Sequence, residues 1–392
     1  MWKNEDACIK CSICISACPV YAQDMNFAGP KALGPDWFRS YEQDNFIDPI
    51  SYVEDCTFCQ LCERSCPAEV PIAHLIAFHK TKQEKSFRRR VRDFILARPH
   101  WIAPFPWLAN IPAPIAKVLD FGTKSRWPRA NNKLSNFKTT SRKVSLGATT
   151  KPTIGIFIDC YSRGFDQEVI FSAQQLLSIW GFETYLLPSS SHCCGAAAYA
   201  AGKDKQGRQI ASSTYKAISK DIRKLGAIIT LNATCDSTLT QEWHNYWNLD
   251  LKIPVISFAQ FSLDNAPESF WDIVSAPVAE PDIFWIHTTC RSNVSKGDVN
   301  LTALMKKAGL GSVRLLSLDC CGAAGSYAFK QEHEDVAHQL GERVLEQINP
   351  LAGNLVLDSG TCGLHLSQIT GLEAKHPAYW IYQRYNNLVE KG

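Results

Sequence analysis

The chain has 392 residues, 45% of them hydrophobic and 20% charged, which is ordinary for a soluble protein with room for two or three cores. Its net charge of +3 is too small for a nucleic-acid partner, so none is expected. Sixteen cysteines are many for this length. No apolar signal stretch precedes Cys8, so a reducing cytosol is expected, where clustered cysteines read as metal ligands rather than disulfides.

Residues 1–80 carry the first eight cysteines. Cys8, Cys11, Cys14 and Cys18 repeat as Cys56, Cys59, Cys62 and Cys66, each group in the spacing C-x2-C-x2-C-x3-C-P. This is the ligand pattern of a two-cluster ferredoxin, in which the fourth cysteine of each run serves the other cluster. Cys8, Cys11, Cys14 and Cys66 are therefore expected to hold one [4Fe-4S] cluster. Cys56, Cys59, Cys62 and Cys18 are expected to hold a second. A zinc site commonly uses two separated C-x2-C pairs and fits the pattern poorly. Between the runs, Gly29 to Asp36 reads as a Gly/Pro-marked loop.

Residues 81–151 form a connector. Lys80, Lys82, Lys85, Arg88, Arg89, Arg90, Arg92 and Arg98 outnumber Glu84 and Asp93, while Phe87, Val91, Phe94 and Ile95 recur at helical spacing. With Trp101, Phe105 and Trp107 beyond, the pattern is that of a segment lying in a membrane interface, or of a helix packing on the next domain. Pro104, Pro106, Pro112 and Pro114 rule out a continuous spanning helix there. From Lys124 onward the composition is that of a solvated linker.

From Pro152 strands and helices alternate. Thr153–Ile158 leads to Cys160, and Asp166 is placed to cap a helix that stops at Gly181. Cys193, Cys194 and Gly195 follow, then a helix over about 205–225, then a strand over 227–231 ending near Cys235. The order recurs with Ile283–Ile286 and Cys290, a helix stopping at Gly309, the Cys320-Cys321-Gly322 triplet, a helix over about 331–348, and Leu355–Leu357 before Cys362. Cys194 and Cys235 are separated by the same interval as Cys321 and Cys362. Two duplicated α/β units follow, 152–261 and 283–386, with cysteines at strand carboxyl ends, where open α/β sheets place ligands. The fold class is thus multidomain, a helical two-cluster ferredoxin domain followed by two α/β units. Gly195 and Gly322 are expected where backbone must approach an inorganic centre. His192, His287 and His376 lie near the cysteines or at a unit end, and each reads first as a hydrogen-bonded packing residue.

These residues resemble the cysteine-rich CCG-domain family, which includes heterodisulfide reductase catalytic subunits and iron-sulfur subunits of membrane-associated dehydrogenases. The likeness is nearest to the iron-sulfur subunit family of anaerobic glycerol-3-phosphate dehydrogenase. It is carried by Cys8–Val20, Gly29–Asp36, Cys56–Val70, His287–Cys290 and Cys320–Lys330. The family's full pattern ends in C-x-x-C, but Asn232 and Ser359 stand where the first of that pair would fall. Each unit keeps four cysteines: Cys160, Cys193, Cys194 and Cys235 in the first, Cys290, Cys320, Cys321 and Cys362 in the second. A further iron-sulfur cluster, a zinc ion or inert cysteines remain alternatives for these two sets.

The resemblance implies an electron-transfer subunit, peripheral at the cytoplasmic face of a membrane, taking electrons from a flavoprotein partner that oxidises the substrate. A quinone would be the acceptor, with a membrane surface or membrane anchor as partner. The chain has no dinucleotide-binding or Walker sequence of its own. Alternatives are a heterodisulfide-reductase-like catalytic subunit, or the iron-sulfur subunit of lactate, glycolate or succinate oxidation.

Overall fold

The computed structural model describes residues 4–43, 51–102, 113–124, 151–187, 192–277, 280–294, 297–317 and 320–390. Most of the polar linker stretch and the centre of the Pro/Trp-rich stretch lie outside the described residues.

The N-terminal region is helical. Each cysteine run turns into a short helix, Ile13–Ser16 and Leu61–Arg64, and the longer Ile72–Lys80 helix packs behind the second. The expected Gly29–Asp36 loop is instead helical, running through Gly29–Lys31 and a π-turn over Ala32–Asp36 into the Trp37–Glu42 helix. Pro30 sits in the first turn, where its missing N–H costs nothing, and Pro35 falls in the widened turn. Leu33, Trp37, Leu75 and Ile76 are buried among these helices.

Two four-stranded parallel sheets follow, with identical topology. The first has order β2-β1-β3-β4, from β1 (Ile154–Phe157), β2 (Thr184–Leu187), β3 (Ala227–Thr230) and β4 (Val255–Ser257). The second has order β6-β5-β7-β8, from β5 (Asp282–Ile286), β6 (Gly311–Leu315), β7 (Asn354–Val356) and β8 (Glu373–Lys375). The central strands were legible because parallel strands covered on both faces read as short apolar runs; β1 and β3 are buried throughout. The outer strands are three to five residues long and mixed in composition, so they carried little signal.

One apolar core joins the two sheets. Ile154, Ile156 and Leu176 of the first pack in the same cluster as Phe284, Ile286, Leu301 and Met305 of the second. The units also exchange contacts at their cysteine-bearing ends. The helix after β1 (Cys160–Phe165) lies on the helix after β7 (Gly360–Thr370), so closely that a Cβ on Gly360 would stand 2.1 Å from the Tyr161 ring. In the mirrored position Arg291, on the helix after β5 (Cys290–Val294), reaches Ser237 at the end of the helix after β3 (Ala233–Ser237).

Asp166 does not cap the Gln167–Ile179 helix with its side chain. Lys375 of the other unit takes its carboxylate instead, at 3.1 Å, and holds Glu168 at 3.0 Å. A partly buried ion pair across the unit boundary has displaced a local cap.

Candidate metal centre and redox cavity

The two ferredoxin-type runs fold as copies of each other. Lys10 and Ser12 have φ of 59° and 66°, and their counterparts Phe58 and Gln60 have 57° and 64°. Left-handed residues in alternation turn successive backbone N–H groups toward one concavity, the nest that Fe–S sites use. The Phe58 N–H reaches the Cys56 sulfur at 3.4 Å.

The thiols interleave between runs. Burial first, then the neighbouring Cys8, Cys66 and Cys11 thiols, push Cys14 above its ordinary value. Burial again, then Glu63, Cys59, Cys56 and Cys18, push Cys62 well up. Burial raises Cys18 to about 12, with Cys56 adding to the rise. The Cys14 thiol of the first run thus feels Cys66 of the second, and the Cys62 thiol of the second feels Cys18 of the first. Buried thiols crowded in this way resist becoming thiolates until a cationic centre offsets their charge, so the donor set fits an iron-sulfur cluster. Among the described residues no three His, Cys, Asp or Glu side chains gather as ligands of one metal ion. A cubane asks for less, one thiolate per iron.

The second eight cysteines converge from two units on one cavity. All of Cys160, Cys193, Cys194, Cys235, Cys290, Cys320, Cys321 and Cys362 line a space of about 130 Å³. Each set hangs from strand carboxyl ends at the reversal of strand order, between β1 and β3 and between β5 and β7. Cys235 Sγ lies 3.4 Å from Cys194 Sγ. Hydrogen-bonding contact with Cys160, with burial adding to it, pushes Cys193 well up. Contact with Cys362 and burial do the same to Cys321.

The glycines of the two triplets serve packing. Gly195 has φ +96°, and a Cβ there would meet the Gly207 carbonyl at 2.6 Å; Gly322 has φ +85°, with the Ala337 carbonyl at 2.2 Å. The close approach at both glycines is to the following helix. Asn232, in the place of the family's cysteine, is an N-cap: its Oδ1 accepts from the Thr234 N–H at 3.0 Å. Ser359 occupies the same helix-start position without a side-chain cap.

Of the three histidines, His376 is also a cap, its Nδ1 accepting from the Ala378 N–H at 3.1 Å. His287 is fully buried, and His192 is half-buried before Cys193.

The N-terminal cysteine region touches both units. Cys59 is raised by burial first and then by Cys320 and Cys18, and the Cys290 thiol feels Cys320 and then Cys59. A buried polar chain runs beside this contact. Arg291 pairs with Glu242 at 2.6 Å, and the Gln60 amide donates to the same carboxylate at 3.0 Å. Gln60 also lies 3.2 Å from His74 Nε2, whose other nitrogen is 2.8 Å from the Tyr199 hydroxyl. Burial opposes charge on Arg291, yet Glu242 holds its guanidinium above the ordinary value. Burial, reinforced by Arg291, keeps His74 neutral. Sequence reasoning did not reach this chain: two of its directly bonded members, Gln60 and Glu242, lie 182 positions apart, and together its residues match no motif.

On the far side lies the basic helix Phe87–Leu96, and its faces are not those that its sequence suggests. Arg92 and Asp93 are buried, whereas Phe87 and Phe94 are exposed. Arg92 pairs with Glu332 at 2.6 Å. Lys330, Lys85 and Arg92 overcome the burial of Asp93 and hold its carboxyl far below the usual range. With its buried face committed to ion pairs, the helix turns aromatic rings outward; Arg98 stacks 3.6 Å from the Phe94 ring and 4.8 Å from Trp101. Among the described residues no helix is long and apolar enough to cross a membrane.

Comparison with known proteins agrees with this architecture. A 4Fe-4S dicluster domain model matches residues 5–70, and a cysteine-rich domain model matches 154–240 and 284–367. An anaerobic glycerol-3-phosphate dehydrogenase subunit from Escherichia coli K12 is 26% identical over 94% of this chain and 96% of its own length. A dihydromethanophenazine:CoB–CoM heterodisulfide reductase subunit from Methanosarcina barkeri is 23% identical over 92% of this chain and 88% of its own. A CoM/CoB fumarate reductase subunit from Methanothermobacter marburgensis is 22% identical, covering 93% of this chain and 68% of its own. The chain thus matches a 4Fe-4S dicluster domain followed by two cysteine-rich domains, and along nearly its whole length it resembles this subunit of anaerobic glycerol-3-phosphate dehydrogenase.

Proposed function

We propose that this protein is the iron-sulfur electron-transfer subunit of a membrane-associated dehydrogenase. It receives electrons from a flavoprotein partner, here a glycerol-3-phosphate dehydrogenase, and delivers them to a quinone. The observation that carries this reading is the interleaving of Cys66 with Cys8, Cys11 and Cys14, and of Cys18 with Cys56, Cys59 and Cys62. These two sets would hold two [4Fe-4S] clusters, which supply one-electron transfer when bound. The chain's own residues bury the Cys14 and Cys62 thiols, bring the Phe58 N–H to the Cys56 sulfur and set Cys59 against Cys290 and Cys320. The cysteine-rich units, taken as 152–261 and 283–386, then stand next on the route.

The test is an iron and sulfide count with EPR on anaerobically purified protein. About eight irons correspond to two cubanes alone, more would place iron in the cysteine-rich units, and fewer than four would overturn the reading. Co-purification of a flavoprotein would identify the substrate.

The exposed Phe87, Phe94 and Trp101 beside Arg88, Arg89, Arg90 and Arg98 support contact with a membrane surface, at its cytoplasmic face. Flotation with anionic liposomes should fall for Phe94→Asp and Trp101→Asp, and equal recovery would sink the idea. A heterodisulfide-reductase-like activity is a second reading, favoured by the convergence of eight cysteines on one cavity. It predicts turnover of an organic disulfide with a reduced dye.

A further inference from the structure

The two ferredoxin-type runs are copies in backbone but not in surroundings. Ile9 of the first is 67% exposed, whereas its counterpart Thr57 is 7% exposed. Cys11 is exposed, whereas its counterpart Cys59 stands against Cys320. Cys8, Cys11, Cys14 and Cys66 are therefore the outer set, and Cys18, Cys56, Cys59 and Cys62 the inner. In each run the carbonyl of the first cysteine accepts from a cation. Arg39 Nη2 donates to the Cys8 carbonyl at 2.9 Å, and Lys80 Nζ donates to the Cys56 carbonyl at 2.6 Å. Arg39 also bonds the carboxylate and the backbone carbonyl of Asp6, near the surface, so its charge is neutralised and solvated. Lys80 is only 6% exposed, and its second partner is another carbonyl, that of Ala200 at 3.0 Å. Among the described residues no carboxylate forms an ion pair with it. The fold makes room for it at Gly202, where a Cβ would stand 2.5 Å from the Lys80 Cβ. The acids beside the inner run are engaged elsewhere. Glu63 accepts from the N–H groups of Ala73 and His74 at 2.7 and 3.2 Å, and Asp55 faces His333.

Reducing a cluster adds negative charge, and burial opposes that charge. The inner set would thus be the harder of the two to reduce unless a cation offsets the loss of water. Burial raises the Cys56 thiol, and the largest influence against that rise is Lys80. We infer that Lys80 is a positioning residue of the electron route: its buried ammonium raises the potential of the inner cluster, so that an electron reaching the outer one moves on toward the cysteine-rich units. The inference rests on the electron-transfer reading and adds the order of the route and the group that sets it. Lys80 acts through the Cys56 backbone rather than by touching iron. In the step one electron leaves the outer centre, which is oxidised, and enters the inner one, which is reduced. No bond breaks, and Lys80 keeps its proton. The electrons come from the reduced flavin of the partner.

The test is an EPR-monitored redox titration of the full-length, anaerobically purified protein, with iron content measured on each sample. Lys80→Met removes the charge, Lys80→Gln removes the charge but keeps a donor, and Lys80→Arg keeps both. Lys80→Met and Lys80→Gln should each lower one of two one-electron steps and leave the other in place. The expected change is about tenfold in the reduction equilibrium, which is about 59 mV for one electron. Lys80→Arg should return that step close to its wild-type position. Arg39→Gln should move neither step by more than about twofold, because an exposed, paired charge counts for little. Unmoved steps in the neutral variants, a wild-type potential in Lys80→Gln, or an equal shift in Arg39→Gln would overturn the inference. Loss of iron from both neutral variants would make Lys80 a structural pin and overturn it as well. A wild type without reducible iron-sulfur signals would instead sink the electron-transfer reading itself.

Discussion

At Gly322 two costs coincide: a left-handed backbone, and a carbonyl 2.2 Å from where a Cβ would stand. At Gly325, φ is +66° but nothing lies within 4 Å. Gly325→Ala should therefore cost about 1–2 kcal/mol, the backbone penalty alone. Gly322→Ala should cost about 3 kcal/mol or more, because the Glu334–Leu345 helix must also move. Anaerobic urea midpoints would measure the difference. Arg291 poses the matching question for charge. Arg291→Met leaves the Glu242 carboxylate buried without its cation and should destabilise by about 3–5 kcal/mol. The double variant with Glu242→Leu should recover much of that loss, since the pair's own net contribution is small beside the cost of a buried lone charge. Neither residue belongs to a recognisable motif, and both became visible only when separate elements met.

For the elements, the His376 cap gives a pH signature. Burial holds its pKa down at about 3, and its neutral Nδ1 accepts the Ala378 N–H that starts the Pro377–Val389 helix. The unfolded chain takes up a proton near pH 6.5, whereas the folded chain does not. Stability should thus be full above about pH 6.5 and fall as pH drops toward about 3. His376→Asn, which can cap without titrating, should flatten that slope in urea denaturation. The same comparison separates legible from illegible elements. β1 and β3 announce themselves as apolar runs, while β8 (Glu-Ala-Lys) is a strand only because β7 pairs with it. The Gly29–Asp36 stretch reads as a loop by its glycines and prolines, yet burial of Leu33 and Pro35 against the Ile72–Lys80 helix makes it helical. Local punctuation lost to tertiary packing.

Across the whole molecule, ion pairs fasten one part to another. Arg92 to Glu332 ties the basic helix to the second cysteine-rich unit, and Lys375 to Asp166 and Glu168 ties that unit to the first. Glu332→Leu removes the acid that joins Arg92 to the second cysteine-rich unit, leaves it only Asp93 of its own helix as a carboxylate partner, and should loosen the basic helix. Trypsin should then cut at Arg88–Arg90 faster by about tenfold or more, the equivalent of about 1.4 kcal/mol in local opening. A cleavage rate unchanged from wild type would show that the helix is held by other contacts.

By itself the sequence determined the cysteine frameworks, the duplication and the α/β alternation, because ligand spacing and strand periodicity are local properties written in consecutive residues. It also marked Asn232 and Ser359 as departures. Only the tertiary structure decided that the second eight cysteines share one cavity, that Cys59 stands against Cys290 and Cys320, and that the basic helix buries Arg92 while exposing Phe87 and Phe94. Those facts depend on which faces of distant elements meet. Periodicity gives a helix an apolar side and a charged side, but a partly buried acid on a partner can reverse which side goes inward, as Glu332 does for Arg92.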